Sequence, residues 1–124
     1  AGGEAARHLV PRGRGSILFT GATASLRGKP PFTAFASAKA GLRSLAQAMA
    51  REFGPRGIHV GHVIIDGAIL GELIRTRVPE AIEAKGEDGL LHHDDIAAAY
   101  WHLHQQPKSA WTFELDLRPY KEPF

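Results

Sequence analysis

The 124-residue sequence predicts an α/β fold built on a parallel sheet. Three stretches carry that expectation. Phe32 to Phe53 places Phe35, Ala38, Leu42, Leu45, Ala46, Met49 and Phe53 at steps of three and four, which gives a long helix one buried face. Ile58 to Ile65 is a β-branched run suited to a strand buried on both faces. Ser16 to Thr20 is a short apolar run ahead of the helix. Strand, helix and strand in that order make one crossover of a parallel sheet.

In chain order, residues 1 to 10 read as the last turns of a helix, closed by the turn Pro11-Arg12-Gly13-Arg14-Gly15. A chain that opens within a helix predicts that part of a longer protein precedes it. Leu9 to Gly13 also resembles a thrombin-cleavage linker, but it runs straight into the first strand and reads as native sequence. The strand at 16–20 enters a turn of small and hydroxyl residues, Gly21 to Ser25. Alanine fills much of the helix outside its apolar stripe, which raises helix propensity and lets a second helix approach closely. Gly54-Pro55 ends that helix, because glycine tolerates left-handed geometry and proline has no N–H for the ladder.

Asp66-Gly67-Ala68 breaks the second strand, and Leu70 to Arg77 reads as a short helix. Pro79 opens another helical piece over Ala81 to Lys85, closed by Gly86 and Gly89, so this region is expected to form a lid-like insertion. Asp94 or Asp95 is the expected cap of a helix through Tyr100 to about His104. The alternating run Trp111 to Leu117 predicts a strand at or near a sheet edge.

Composition is that of an ordinary globular domain, and 15 basic against 13 acidic side chains leave a formal charge of +2, so electrostatics do not point to nucleic acid. Without cysteine there is no disulfide framework or thiolate chemistry, consistent with a cytoplasmic protein. No apolar run approaches the ~20 residues of a bilayer span, and no membrane association is expected. His92, His93, Asp94 and Asp95, with His102 and His104, are the right residue types for a metal but lack zinc-motif spacing, and the aspartates suit a helix start. No metal is expected. His59 and His62 stand three apart on a strand and therefore face opposite sides.

The order strand, small-residue turn, helix with Ala36-Ser37-Ala38-Lys39-Ala40, Gly-Pro turn, strand and Asp66-Gly67 turn resembles the C-terminal half of a short-chain dehydrogenase/reductase over residues 14 to 118. The resemblance implies a Rossmann-like doubly wound sheet, with residues 1–124 forming the C-terminal part of one dinucleotide-binding domain about twice this length. The N-terminal nucleotide-binding half, with its glycine-rich phosphate turn, is then absent from this chain. In that family a serine ends the strand, and a Tyr-x-x-x-Lys pair follows on the helix. The tyrosine exchanges a proton with the substrate oxygen, the lysine lowers its pKa and holds the nicotinamide ribose, and the serine positions the carbonyl. Lys39 matches the lysine, whereas Phe35 stands at the tyrosine position and Ala22 at the serine position.

Phenylalanine has no proton to exchange. Losing a positioned general acid lowers a rate by ~10²–10⁴. Asp66, Thr23 and Ser25 are the candidate replacements, Asp66 standing where the family has the proline of a Pro-Gly motif. By the same resemblance Gly67 and Ile69 line the cofactor, Ile69 through its backbone, while the threonine near the phosphates is replaced by Gly71.

The expected function is NAD- or NADP-dependent oxidoreduction of a small carbonyl or alcohol substrate at an atypical site. The alternative is a catalytically silent homologue that acts as a nucleotide-binding sensor or scaffold. Tyr100, Trp101 and Trp111 read as packing or interface aromatics. A homodimer or homotetramer through the 32–53 helix and the last strand is implied by the family's habit and suited by the small-residue helix face.

Overall fold

A computed structural model of the chain describes residues 2–22, 33–67, 69–70 and 89–120, with side chains at all of these except 2, 22, 33–39, 69 and 70. The expected turn at 23–25 and the helical pieces over 71–77 and 81–85 lie outside the described residues.

Helix α1 (Gly2–Leu9) carries Glu4 in its first turn and Arg7 and His8 in its last, which complements the helix dipole at both ends. A 3₁₀ turn over Val10–Arg12 leads from it into strand β1 (Ser16–Ala22). Helix α2 (Thr33–Phe53) follows, and a second 3₁₀ turn (Gly54–Arg56) carrying Pro55 ends it. At Gly57 the backbone takes φ 90, and a Cβ there would sit 2.2 Å from the Gly13 carbonyl oxygen. Both the left-handed conformation and the missing side chain are therefore required where the two turns meet.

Strand β2 (His59–Ile65) pairs in parallel with β1 from Ser16↔His59 to Ala22↔Ile65. Strand β5 (Glu114–Leu117) pairs in parallel on the other side, from His62↔Glu114 to Ile65↔Leu117. The sheet order is β1-β2-β5, so β2 is the central strand of the described three and is buried along almost its whole length. That burial on both faces is why its sequence, apart from His59 and His62, is apolar throughout rather than alternating. A separate two-stranded ladder joins β3 (Ile69–Leu70) to β4 (Leu91–His92). Helix α3 (His93–Gln105) leads directly from β4.

Side-chain alternation sorts the layers. Ile17, Ile58 and Val60 form one cluster with Ala6 of α1 and Met49 of α2, and Phe19 packs against it. Their neighbours in sequence face the other way: Ser16 and Thr20 meet His104 and Tyr100 of α3. Helices thus cover both faces of the parallel sheet, which is the doubly wound arrangement expected.

Five details correct the sequence expectations. Strand β1 continues through Gly21 and Ala22, where a turn was expected to have begun, because parallel pairing with Ile64 and Ile65 extends it. Leu70 belongs to a strand rather than to a helix, held by pairing with His92. The cap of α3 is His92, in extended conformation with no side-chain cap bond, while Asp94 and Asp95 lie inside the first turn, where their charge favours the helix dipole. Leu45 is 50% exposed, so the buried stripe of α2 runs through Ala46 and Met49 without it. The last strand also begins at Glu114 rather than Trp111, since Trp111 turns back to pack on His59.

Candidate active site

The register brings the three parallel strands to a common end: Ala22 is level with Ile65, and Ile65 with Leu117. In open α/β sheets the crevice beyond these carboxyl ends is where ligands bind. Ala22 closes β1, Asp66 and Gly67 follow β2, and Ile69 follows one residue later in β3. Phe35 and Lys39 occupy the first two turns of α2, the helix that leaves this end of the sheet; their side chains, like that of Ala22, lie outside the described residues. The Ile69 backbone pairs with Leu91. Thr23, Ser25 and Gly71 fall outside the described residues.

Asp66 is the one described candidate whose side chain can be followed. Its N–H donates to the Leu117 carbonyl at 2.8 Å, which continues the β2–β5 ladder by one rung. Its carboxylate is almost fully buried and accepts from the Arg118 guanidinium, which also lies 3.6 Å from Asp116. An arginine opposite a buried carboxylate supplies the charge compensation that desolvation demands. Sequence reasoning did not single out Arg118. The only signal available was a cation directly after an alternating strand, and which carboxylate it meets depends on strand order. Beside this pair a cavity of about 280 Å³ is walled by Leu90, Leu91, Ile96 and Leu117, with His92, Asp95, Arg118 and Tyr120 as polar groups.

A second polar group lies one layer deeper, on the α2 face. The Arg43 Nε and Nη2 donate to the two carboxylate oxygens of Glu114 at 2.7 and 3.2 Å, a fork-to-fork contact from α2 to β5. Fully buried His62 lies with its Nδ1 3.2 Å from Glu114 Oε2. A carboxylate only accepts, so Nδ1 carries the proton in this contact. The Arg43 guanidinium holds the Glu114 carboxyl below the usual carboxylate range, with the His62 hydrogen bond in support and burial opposing. Glu114 in turn raises the Arg43 guanidinium.

The other edge of the His62 ring explains Gly21. A Cβ at position 21 would lie 2.2 Å from His62 Nε2, so only glycine leaves room for the imidazole in the middle of the sheet. His59 faces the opposite side, as its spacing from His62 requires. Its Nε2 donates to the Thr112 carbonyl at 2.7 Å, and its ring stacks on Trp111 with centroids 4.8 Å apart and planes within 2°. Tyr100 shares a hydrogen bond with Thr20, whereas Trp101 is 60% exposed. The expected packing role therefore fits Trp111 and Tyr100. Among the described residues no three His, Asp or Glu side chains stand together as a metal site, and no helix is long and apolar enough to cross a membrane.

Comparison with known proteins agrees with this geometry. A short-chain dehydrogenase from Rhodopseudomonas palustris is 50% identical, with a TM-score of 0.70 over 96% of this chain and 45% of that one. The oxidoreductase asL5 of Sarocladium schorii is 32% identical over 82 residues, which are 66% of this chain and 30% of that protein. ElxO with NADP bound superposes with a TM-score of 0.77 at 20% identity, over 93% of this chain and 49% of that one, which shows a shared fold. A tyrosine-to-phenylalanine variant of ElxO with NADPH bound superposes at 0.75 and 21% identity over 90% and 48%. The chain thus spans about half the length of these solved structures and less than a third of that curated relative. The short chain dehydrogenase family model matches residues 3–80, across α1, β1, α2 and β2. Sequence, sheet order and the placement of the strand ends agree, and the chain belongs to the short-chain dehydrogenase/reductase family.

Proposed function

We propose that the protein is an NAD(P)-dependent oxidoreductase acting on a small carbonyl or alcohol substrate, with residues 1–124 supplying the C-terminal portion of a single dinucleotide-binding domain. The observation that carries the reading is the family match across the β1–α2–β2 crossover, with Lys39 on α2 and Asp66-Gly67 beyond β2. The choice between NAD and NADP is left to measurement. ElxO, which shares this fold, carries NADP, and its tyrosine-to-phenylalanine variant carries NADPH, which supports a nicotinamide dinucleotide as the cofactor class.

The residues present fit such a group. Gly67, with φ 138, leaves the turn after β2 without a side chain, and the three parallel strands end level beside it. The nicotinamide supplies or accepts hydride when bound. In this reading Lys39 holds the ribose hydroxyls, while Gly67 and the Ile69 backbone line the ring. Phe35 has no proton to exchange, and Ala22 offers the substrate oxygen no hydroxyl. Proton delivery then falls to Asp66, Thr23, Ser25 or water. The exposed small-residue face of α2, with Ala40, Gly41, Ser44 and Ala48, supports association into a homodimer or homotetramer through that helix, with the last strand as a second contact.

One observation favours a second reading, a catalytically silent homologue that binds nucleotide as a sensor or scaffold. The Asp66 carboxylate is already committed to Arg118, so the best-described replacement donor is tied back into the fold. Fluorescence titration of the full-length protein with NADH and NADPH, followed by turnover assays on a carbonyl panel, separates the two. Binding with turnover supports the oxidoreductase. Binding without turnover that Phe35→Tyr with Ala22→Ser restores by ~10²-fold or more supports the silent homologue. A folded full-length protein that binds neither dinucleotide refutes both readings.

A further inference from the structure

The end of the sheet where β1 and β2 begin is distinct from the crevice at the strands' carboxyl ends. The loops after α1 and α3 meet there around a cavity of about 450 Å³, lined by Arg12, Arg14, Lys108, His59, His104 and Trp111. No aspartate or glutamate lines it. No carboxylate among the described residues pairs with Arg12, Arg14 or Lys108, and the three cationic side chains are exposed. Lys108 Nζ donates to the Gly13 carbonyl at 3.3 Å, which ties the α3 loop to the α1 loop and leaves two ammonium protons for other partners. Like charges gathered around one concavity repel in its empty state, and an anion relieves that repulsion.

We propose that this cavity binds the phosphoryl group of a small phosphorylated organic ligand. Phosphate is favoured over a single carboxylate by the charge and by the donors. Two guanidinium groups offer planar forks that match phosphate oxygens in pairs, and Lys108 adds a compact third charge. A bare inorganic ion fills little of 450 Å³, and the volume falls in the range of small-molecule pockets. The organic part has an apolar wall in Leu9 and Trp111, and Trp111 is fixed by its stack on His59 and by its Nε1 donating to the Gln106 carbonyl at 3.2 Å. On the polar side, the Ser16 hydroxyl is held by His104 Nδ1 at 2.8 Å. The seven-residue strands β1 and β2 separate this cavity from the proposed dinucleotide crevice by ~20 Å, so the two ligands do not compete for one place.

Calorimetric titration of the full-length protein with phenyl phosphate, inorganic phosphate and benzoate tests the assignment. Phenyl phosphate is expected to bind at least as tightly as inorganic phosphate and clearly more tightly than benzoate, with affinity falling as salt rises. Arg14→Glu and, separately, Lys108→Gln are each expected to weaken it by about tenfold or more while the circular dichroism spectrum stays unchanged. Three results would overturn the proposal: no binding of phenyl phosphate at millimolar concentration, benzoate or inorganic phosphate binding more tightly than phenyl phosphate, or parental affinity in both folded variants.

Discussion

Gly21→Ala tests the packing at the centre of the sheet. The added methyl would stand 2.2 Å from His62 Nε2 and 2.9 Å from its Cε1, far inside van der Waals contact. His62 is fully buried and its other nitrogen is held by Glu114, so the ring cannot swing aside without breaking that bond. Overpacking of a filled core lowers stability by about 1–3 kcal/mol, and a lost hydrogen bond to a charged group adds about 1.5–3 kcal/mol. The expected loss is therefore about 2.5–6 kcal/mol. In a domain of 150–250 residues each kcal/mol moves the melting temperature by about 2–4 °C, so a fall of roughly 5–25 °C is expected in thermal denaturation of the full-length protein. The His62→Ala partner removes the clash. The double variant should be more stable than the sum of the two single losses predicts, by at least ~1 kcal/mol. A Gly21→Ala protein within ~0.5 kcal/mol of the parent, or strictly additive behaviour, would refute the claim that the imidazole and the glycine occupy one space.

Arg118→Ala leaves the nearly buried Asp66 carboxylate without its cation, and a loss of about 3–5 kcal/mol in urea unfolding is expected, whereas an unchanged midpoint would mean that the pair contributes nothing. Glu114→Gln should alter the pH profile of stability. Because the folded Glu114 carboxyl lies below its ordinary range, its contribution is fully present above the unfolded value of about 4.3 and is lost as pH falls through the lower folded value. The stability gap between parent and Glu114→Gln should therefore narrow between pH 6 and pH 3, and a gap that stays constant or widens on acidification would contradict the assignment. Charge removal at Lys39 by Lys39→Ala should weaken dinucleotide binding by about tenfold or more if its ammonium holds the ribose, and equal affinity in fluorescence titration would reject that role.

Much of the frame was legible because it is written in local periodicity. The 3- and 4-residue spacing of the α2 stripe, the Gly54-Pro55 stop and the β-branched run of β2 each depend on residues close together in sequence, and each element was found at nearly the expected place. Leu45 illustrates the limit. It fits the helical stripe by spacing, yet it is half exposed, because the width of the buried face is decided by what the helix packs against. Likewise Gly21 and Ala22 look like turn residues until β2 lies alongside to pair with them.

The candidate site divides in the same way. The sequence by itself determined the parallel crossover and the standing of Phe35, a side chain with no proton to exchange, one helical turn before Lys39, since these follow from residue identity and spacing alone. Only the tertiary structure decided that Arg118 meets Asp66, 52 residues away, and that Arg43 meets Glu114, 71 residues away, with His62 beneath it. The physical reason is register. A side chain's chemistry is local, but the charge it faces is set by which strands lie side by side and how they are aligned. The placement of β5 against β2 brings residues from distant parts of the chain into the same dry layer.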